Sequence, residues 1–177
     1  TITSKSVTDT DITIASIADL VYTGLGQTPS PAVQDGATVL VADTDYTLSY
    51  ADNTNVGTAT ITITGIGNYT GTKDVTFDIT PAALTITAED KSKEFGEVDP
   101  ALTVSYAGFV NAEDATNLTG TLSISKVPGE SVGTYAITAS GFTSTNYALT
   151  YTAGTFTITS KSVTDTDITI ASIADLV

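Results

Sequence analysis

Apolar side chains recur at every second position along most of this chain, with polar residues, chiefly threonine, filling the places between. The alternation passes through Ile12 and Ile14, then Tyr46, Leu48 and Tyr50, then Ala59, Ile61 and Ile63, then Val75, Phe77 and Ile79. It resumes at Leu84, Ile86 and Ala88, at Leu102, Val104 and Tyr106, and at Leu122 and Ile124. Tyr135, Ile137 and Ala139 follow, then Leu149 and Tyr151, then Phe156 and Ile158. Extended backbone points successive side chains to opposite faces, so a period of two gives each segment one apolar and one polar face. One buried face and one wet face is the pattern of antiparallel sheets. Threonine is about one residue in five, and its branched Cβ, like those of Val and Ile, suits a pleated surface better than a helix. Breakers separate the runs at Pro29-Ser30-Pro31, Gln34-Asp35-Gly36, Asp52-Asn53-Thr54-Asn55, Gly65-Ile66-Gly67 and Val127-Pro128-Gly129. Short strands at this spacing predict an all-β chain of antiparallel β-sandwich domains. One stretch, Asn111 to Leu118, reads instead as a helical turn capped by Asn111.

Two repeats organise the chain. Residues 1–21 and 157–177 are identical letter for letter, an offset of 156 residues. The expectation is one repeat unit plus the opening of the next, within a longer tandem array. A fainter repeat lies inside the unit. Val56-Gly57-Thr58 answers to Val132-Gly133-Thr134, Asn68-Tyr69 to Asn146-Tyr147, and Thr76-Phe77-Asp78-Ile79-Thr80 to Thr155-Phe156-Thr157-Ile158-Thr159. The unit therefore divides into two related domains, expected at 5–80 and 81–160, with 1–4 as the tail of a preceding domain and 161–177 as the first strands of the next copy. The linkers are very short, and Pro81 stiffens the first, so successive domains are expected to form a stiff rod. The partners this implies are neighbouring repeats of the same protein, with 161–177 open to strand addition from a following copy or a neighbouring chain.

Composition excludes several classes of chemistry. The 177 residues carry no His, Cys, Met or Trp and no Arg. Thiolate nucleophiles, disulfides and Cys-ligated zinc are thus impossible, and the commonest general base is missing. A net charge of −14 argues against nucleic acid as a partner. No apolar run reaches the length of a membrane span. The expectation is no catalytic, cofactor or metal site, and no enzymatic activity. The absence of readily oxidised Cys and Met suits long exposure outside the cell.

The remaining candidates have structural readings. Asp9/Asp11, Asp43/Asp45 and Asp165/Asp167 could offer oxygens to calcium, but they read first as solvated turn and strand-edge charges. A Lys–Asn cross-link would need a buried lysine. Lys5, Lys73, Lys91, Lys93, Lys126 and Lys161 all sit beside polar residues or turns and read as solvated. Gly65-Ile66-Gly67 lacks the Lys and helix of a phosphate loop and reads as a turn with positive φ. Asn117-Leu118-Thr119 and Asn68-Tyr69-Thr70 match the glycosylation sequon. Tyr69 and Tyr147 are expected to pin sandwich corners, ring buried and hydroxyl on a backbone acceptor. Phe77 and Phe156 are expected core anchors of the closing strands.

Two stretches resemble known families. Tyr22-Thr23-Gly24 with Thr28-Pro29, Asp45 to Tyr50, and Asn53 to Ala59 through Gly67-Asn68-Tyr69-Thr70-Gly71 are similar to a bacterial immunoglobulin-like repeat of large surface proteins. Phe95-Gly96 with Asp99-Pro100-Ala101-Leu102, Leu118-Thr119-Gly120, Gly133-Thr134-Tyr135 and Asn146-Tyr147 resemble the MBG-type domain of bacterial adhesins. Phe95 stands where that family often has Tyr, a change not expected to disturb packing. The resemblance implies tandem immunoglobulin-like sandwiches in a long extracellular stalk or filament at the cell surface. A binding module for a glycan or a host or matrix protein is the other reading it leaves open.

Overall fold

Strands form where the alternation supplies an apolar residue at every second position, and they stop at the breakers. The computed structural model describes residues 3–163. The first half holds nine strands: β1 (Lys5–Ser6), β2 (Ile12–Ile14), β3 (Leu20–Val21), β4 (Val33–Asp35), β5 (Thr38–Val39), β6 (Tyr46–Ala51), β7 (Gly57–Gly65), β8 (Tyr69–Thr70) and β9 (Thr72–Thr80). The second holds seven: β10 (Ala82–Ala88), β11 (Lys91–Glu94), β12 (Val104–Ala107), β13 (Thr119–Lys126), β14 (Gly133–Thr143), β15 (Tyr147–Thr152) and β16 (Gly154–Thr159). The chain is all-β, as the pattern predicts.

Each half builds a sheet of three strands and one of four. The orders are β2-β4-β5 and β3-β9-β7-β6 in the first half, and β12-β10-β15 and β11-β16-β14-β13 in the second. Ile12 and Val33 from one sheet, and Ala59, Ile61, Ile63, Phe77 and Ile79 from the other, are buried. In the second half Ala88, Ile137, Ala139, Phe156 and Ile158 form a core cluster flanked by half-buried Leu102, Val104, Leu122, Ile124, Tyr135 and Tyr151. The wet face is also ordered by its residues. Thr58 and Thr62 on β7 donate to Asp78 and Asp74 directly across on β9, each at 2.7 Å, the cross-strand pairing that supports a sheet.

Among the described residues, the expectation of antiparallel sheets is corrected at the following pairs. β1 runs parallel to β8, β3 to β9, and β11 to β16. Parallel neighbours need a long connection, and here most of a domain lies between each pair. The helical turn is also smaller than expected. It is a 3-10 turn at Ala115–Asn117, capped by Asp114, whose carboxylate accepts the Thr116 N–H. Asn111 is instead held at φ 49°, with its carboxamide donating to the Gly24 carbonyl at 3.2 Å.

The internal repeat is visible in the hydrogen bonds. Tyr22 N–H donates to the Thr80 carbonyl at 2.8 Å, and Phe95 N–H to the Thr159 carbonyl at 2.8 Å. Lys5 N–H reaches the Asn68 carbonyl at 3.0 Å, as Ala82 N–H reaches that of Asn146 at 3.0 Å. Tyr22 and Phe95 thus occupy one position of the fold, and Asn68-Tyr69 and Asn146-Tyr147 another. By contact the chain groups into two compact units. The first runs to Thr85 and includes Ala107–Gly120 and Phe142–Thr150; the second comprises Ile86–Tyr106, Thr121–Gly141 and the chain from Tyr151 onward. Residues 161–163 carry no strand; the rest of the strands expected in 161–177, and the Asp165/Asp167 pair, lie outside the described residues. Among the described residues no helix is long and apolar enough to cross a membrane.

Candidate functional site

Three groups of polar side chains are organised well beyond ordinary surface contacts. The first, within the first unit, centres on Glu113. Tyr22 follows directly on β3 and is 5% exposed. Tyr147, the first residue of β15, is 3% exposed. Their rings meet edge to face, centroids 5.5 Å apart at 82°, and Phe109 meets Tyr147 similarly at 5.4 Å. This geometry sets the positive ring edge against the negative face of its neighbour. Tyr22 donates to one Glu113 oxygen at 2.7 Å, and Tyr147 donates to the other. The Tyr147 hydroxyl also accepts the Val110 N–H at 3.2 Å. Nearby, the Asn146 carboxamide accepts the Val56 N–H at 3.1 Å and donates to the Asn55 side chain at 3.0 Å. Residues 22–24 and 55–56 are thereby tied to residues 109–113 and 146–147.

This arrangement holds protons in place. Tyr22 is pushed up to about 12, first by burial and then by its bond to Glu113. Tyr147 is raised for the same two reasons. Ionising either would set an anion beside a carboxylate with little water to screen it. The folded chain therefore binds the Tyr22 proton more tightly than the unfolded chain, whose tyrosine ionises near 10.0. The resulting stability is complete below pH 10 and is lost as pH rises towards 12. The melting temperature is expected to fall across that range more steeply in the unaltered protein than in Tyr22→Phe. Thermal scans from pH 8 to 12 check this, and parallel slopes would contradict it.

The second group, in the second unit, pairs two lysines with two carboxylates. Lys126 Nζ lies 2.9 Å from Asp99 and 3.0 Å from Glu130, and Lys93 contacts the same two acids. The Lys93 and Lys126 side chains are only 6% and 10% exposed, so the expectation of solvated lysines is corrected here. Lys126 also sits 4.6 Å from the Phe156 ring centroid, where a cation is attracted to the ring face. Hydrogen bonds donated to Asp99 and then Glu130 raise both lysines, and those received from Lys93 and then Lys126 hold both acids below their usual range. A Lys–Asn cross-link needs a neutral amine facing an Asn carboxamide with an acid nearby, whereas each of these amines faces two carboxylates. These groups favour their charged states, so the quartet acts as an ion-pair network.

The third group joins Lys5 to Asp35 and Asp11 in the first unit. Asp35 also accepts from the Tyr69 hydroxyl at 3.2 Å. Tyr69 is half-buried where Tyr147 is buried. Both hydroxyls reach carboxylates rather than the backbone acceptors expected from sequence. Phe77 and Phe156 are 3% and 0% exposed. The other aspartates have local work. Asp45 accepts the Val41 N–H at 2.8 Å, and Asp43 occupies a turn at φ 62°. Among the described residues no three acids converge as metal ligands would. Gly67 does take positive φ, 63°, in the turn after β7.

Glu113 is the residue that sequence reasoning passed over. Its partner Tyr22 lies 91 positions away, and nothing in its own neighbourhood marks it. Lys126 did carry a signal, because it continues the inward period of Leu122 and Ile124 along β13. No curated protein matches the chain. Residues 84–157 of this all-β chain match the family described as MBG domain (YGX type).

Proposed function

We propose that the chain is a structural repeat of a long extracellular or cell-surface bacterial protein, a stiff stalk or filament module with a mechanical rather than catalytic task. The observation that carries this reading is the Glu113 cluster. Two buried tyrosines, one carboxylate and the Asn55–Asn146 pair bind residues from both sequence repeats into one unit, and such a joint resists bending. The acidic surface supports the same reading, because like charge keeps β-rich faces from adhering edge to edge.

Single-molecule force spectroscopy on the chain between inert handles tests it. Force peaks separated by roughly 250–290 Å of released chain are expected, the contour of about 80 residues. Glu113→Ala is expected to lower the first of them. Smooth extension without peaks would end the stalk reading. The adhesive alternative draws on one feature, the exposed ring of Phe95, 51% accessible beside Val132 and Val163.

A further inference from the structure

The same three residues, Lys-Ser-Val, stand in the chain twice in identical sequence and in opposite environments. Val7 is 0% exposed, and its N–H donates to the Thr70 carbonyl at 2.9 Å. Val163, its sequence counterpart, is 66% exposed. Ser160, Lys161, Ser162 and Val163 line a groove with Phe95 and Val132 in the second unit. Those two are bare as well, at 51% and 57%.

Their counterparts in the first unit are covered. Tyr22 holds the position of Phe95, and Val56 that of Val132. Tyr22 is roofed by the edge of Tyr147, and the Val56 N–H by Asn146. The cover in that case is the Asn-Tyr turn of the domain that follows in the chain. Over Phe95 and Val132 the domain that follows would be the next copy of residues 5–80, whose Asn-Tyr turn is Asn68-Tyr69.

We infer that the Phe95–Val132–Val163 face is the docking surface for the following copy of the repeat in the same chain, with the Asn68-Tyr69 turn of that copy seated on Phe95. This rests on the tandem reading proposed above. The chemistry of the two sides agrees. Phe95 has no hydroxyl to satisfy, and the Tyr69 hydroxyl already has Asp35 as its acceptor, so the contact can be apolar. The joint on Tyr22 needs Glu113; the joint on Phe95 needs no carboxylate. Phenylalanine at this position then belongs to the contact and is not a neutral departure from tyrosine.

The test compares the 177-residue protein with one extended after Val177 by residues 22–80 of its own sequence, which completes the second copy. In the extended protein the Val163 amide is expected to exchange with solvent at least about 100-fold more slowly, because it gains the bond that Val7 makes. Phe95→Ala is expected to lower the melting temperature of the extended protein by about 4–8 °C, and that of the 177-residue protein by less than about 1 °C. Protection of Val163 with equal Phe95→Ala effects in both proteins would overturn the docking surface and leave the tandem reading intact. An unprotected Val163 would overturn both. Concentration-dependent dimerisation of the 177-residue protein, abolished by Phe95→Ala, would overturn the in-chain joint in favour of a contact between chains.

Discussion

Phe156→Ala is expected to destabilise the protein by about 3–5 kcal/mol, the range for removing a fully enclosed aromatic ring. Phe156 is 0% exposed and lies opposite Tyr135 on β14 and Lys91 on β11. Its removal empties the middle of the core cluster and takes away the ring beneath Lys126, leaving that nearly buried cation with less to face. A domain of about 80 residues has only some 4–12 kcal/mol in hand, so the loss would consume a large share. The urea midpoint, followed by tyrosine fluorescence, measures it. Phe156→Leu, which keeps most of the volume, should cost far less. Equal midpoints for the two variants would mean that the surroundings close over the space.

Gly141→Val is expected to cost about 3 kcal/mol or more, by a different route. Gly141 lies within β14 at φ 104°, in a region closed to branched side chains. A Cβ there would stand 2.2 Å from the Thr121 carbonyl oxygen on the neighbouring strand. Valine thus meets backbone strain and collision together, and relief of one requires β14 to leave β13. The same midpoint measurement, with amide exchange along β13, checks the prediction. A stable variant with β13 amides still protected would refute it. Nothing in the alternation marks this glycine, since its demand comes from a carbonyl twenty residues earlier.

Local rules and distant partners divide what could be read beforehand. The long strands β7, β9, β10, β14 and β16 follow from the apolar period, because side chains at i and i+2 share a face whatever the rest of the chain does. The short strands β1, β3 and β8, two residues each, give no period to detect and exist because a partner strand lies alongside. The repeat pairs Tyr69 with Tyr147 in the sequence. It could not reveal that one hydroxyl meets Asp35, the last residue of β4, and the other Glu113, in the loop before the 3-10 turn, since both acids lie more than thirty positions from their tyrosines. The lysines were misjudged for a related reason. Their sequence neighbours are polar, yet Asp99 and Glu130 fold over Lys93 and Lys126 and remove them from water.

The parallel pairing of β3 with β9, and of β11 with β16, bears on how such a module would fail under load. An early strand of each half lies beside a closing one, pointing the same way, with the register Leu20 to Ile79 in one and Lys91 to Phe156 through Glu94 to Thr159 in the other. Pulling the chain by its two ends drags these neighbours past each other along their length. Their hydrogen bonds must then rupture as a group, instead of peeling apart one after another like a zip. Resistance to pulling would rise with the number of bonds in the pair, making the longer β11–β16 seam the tougher of the two.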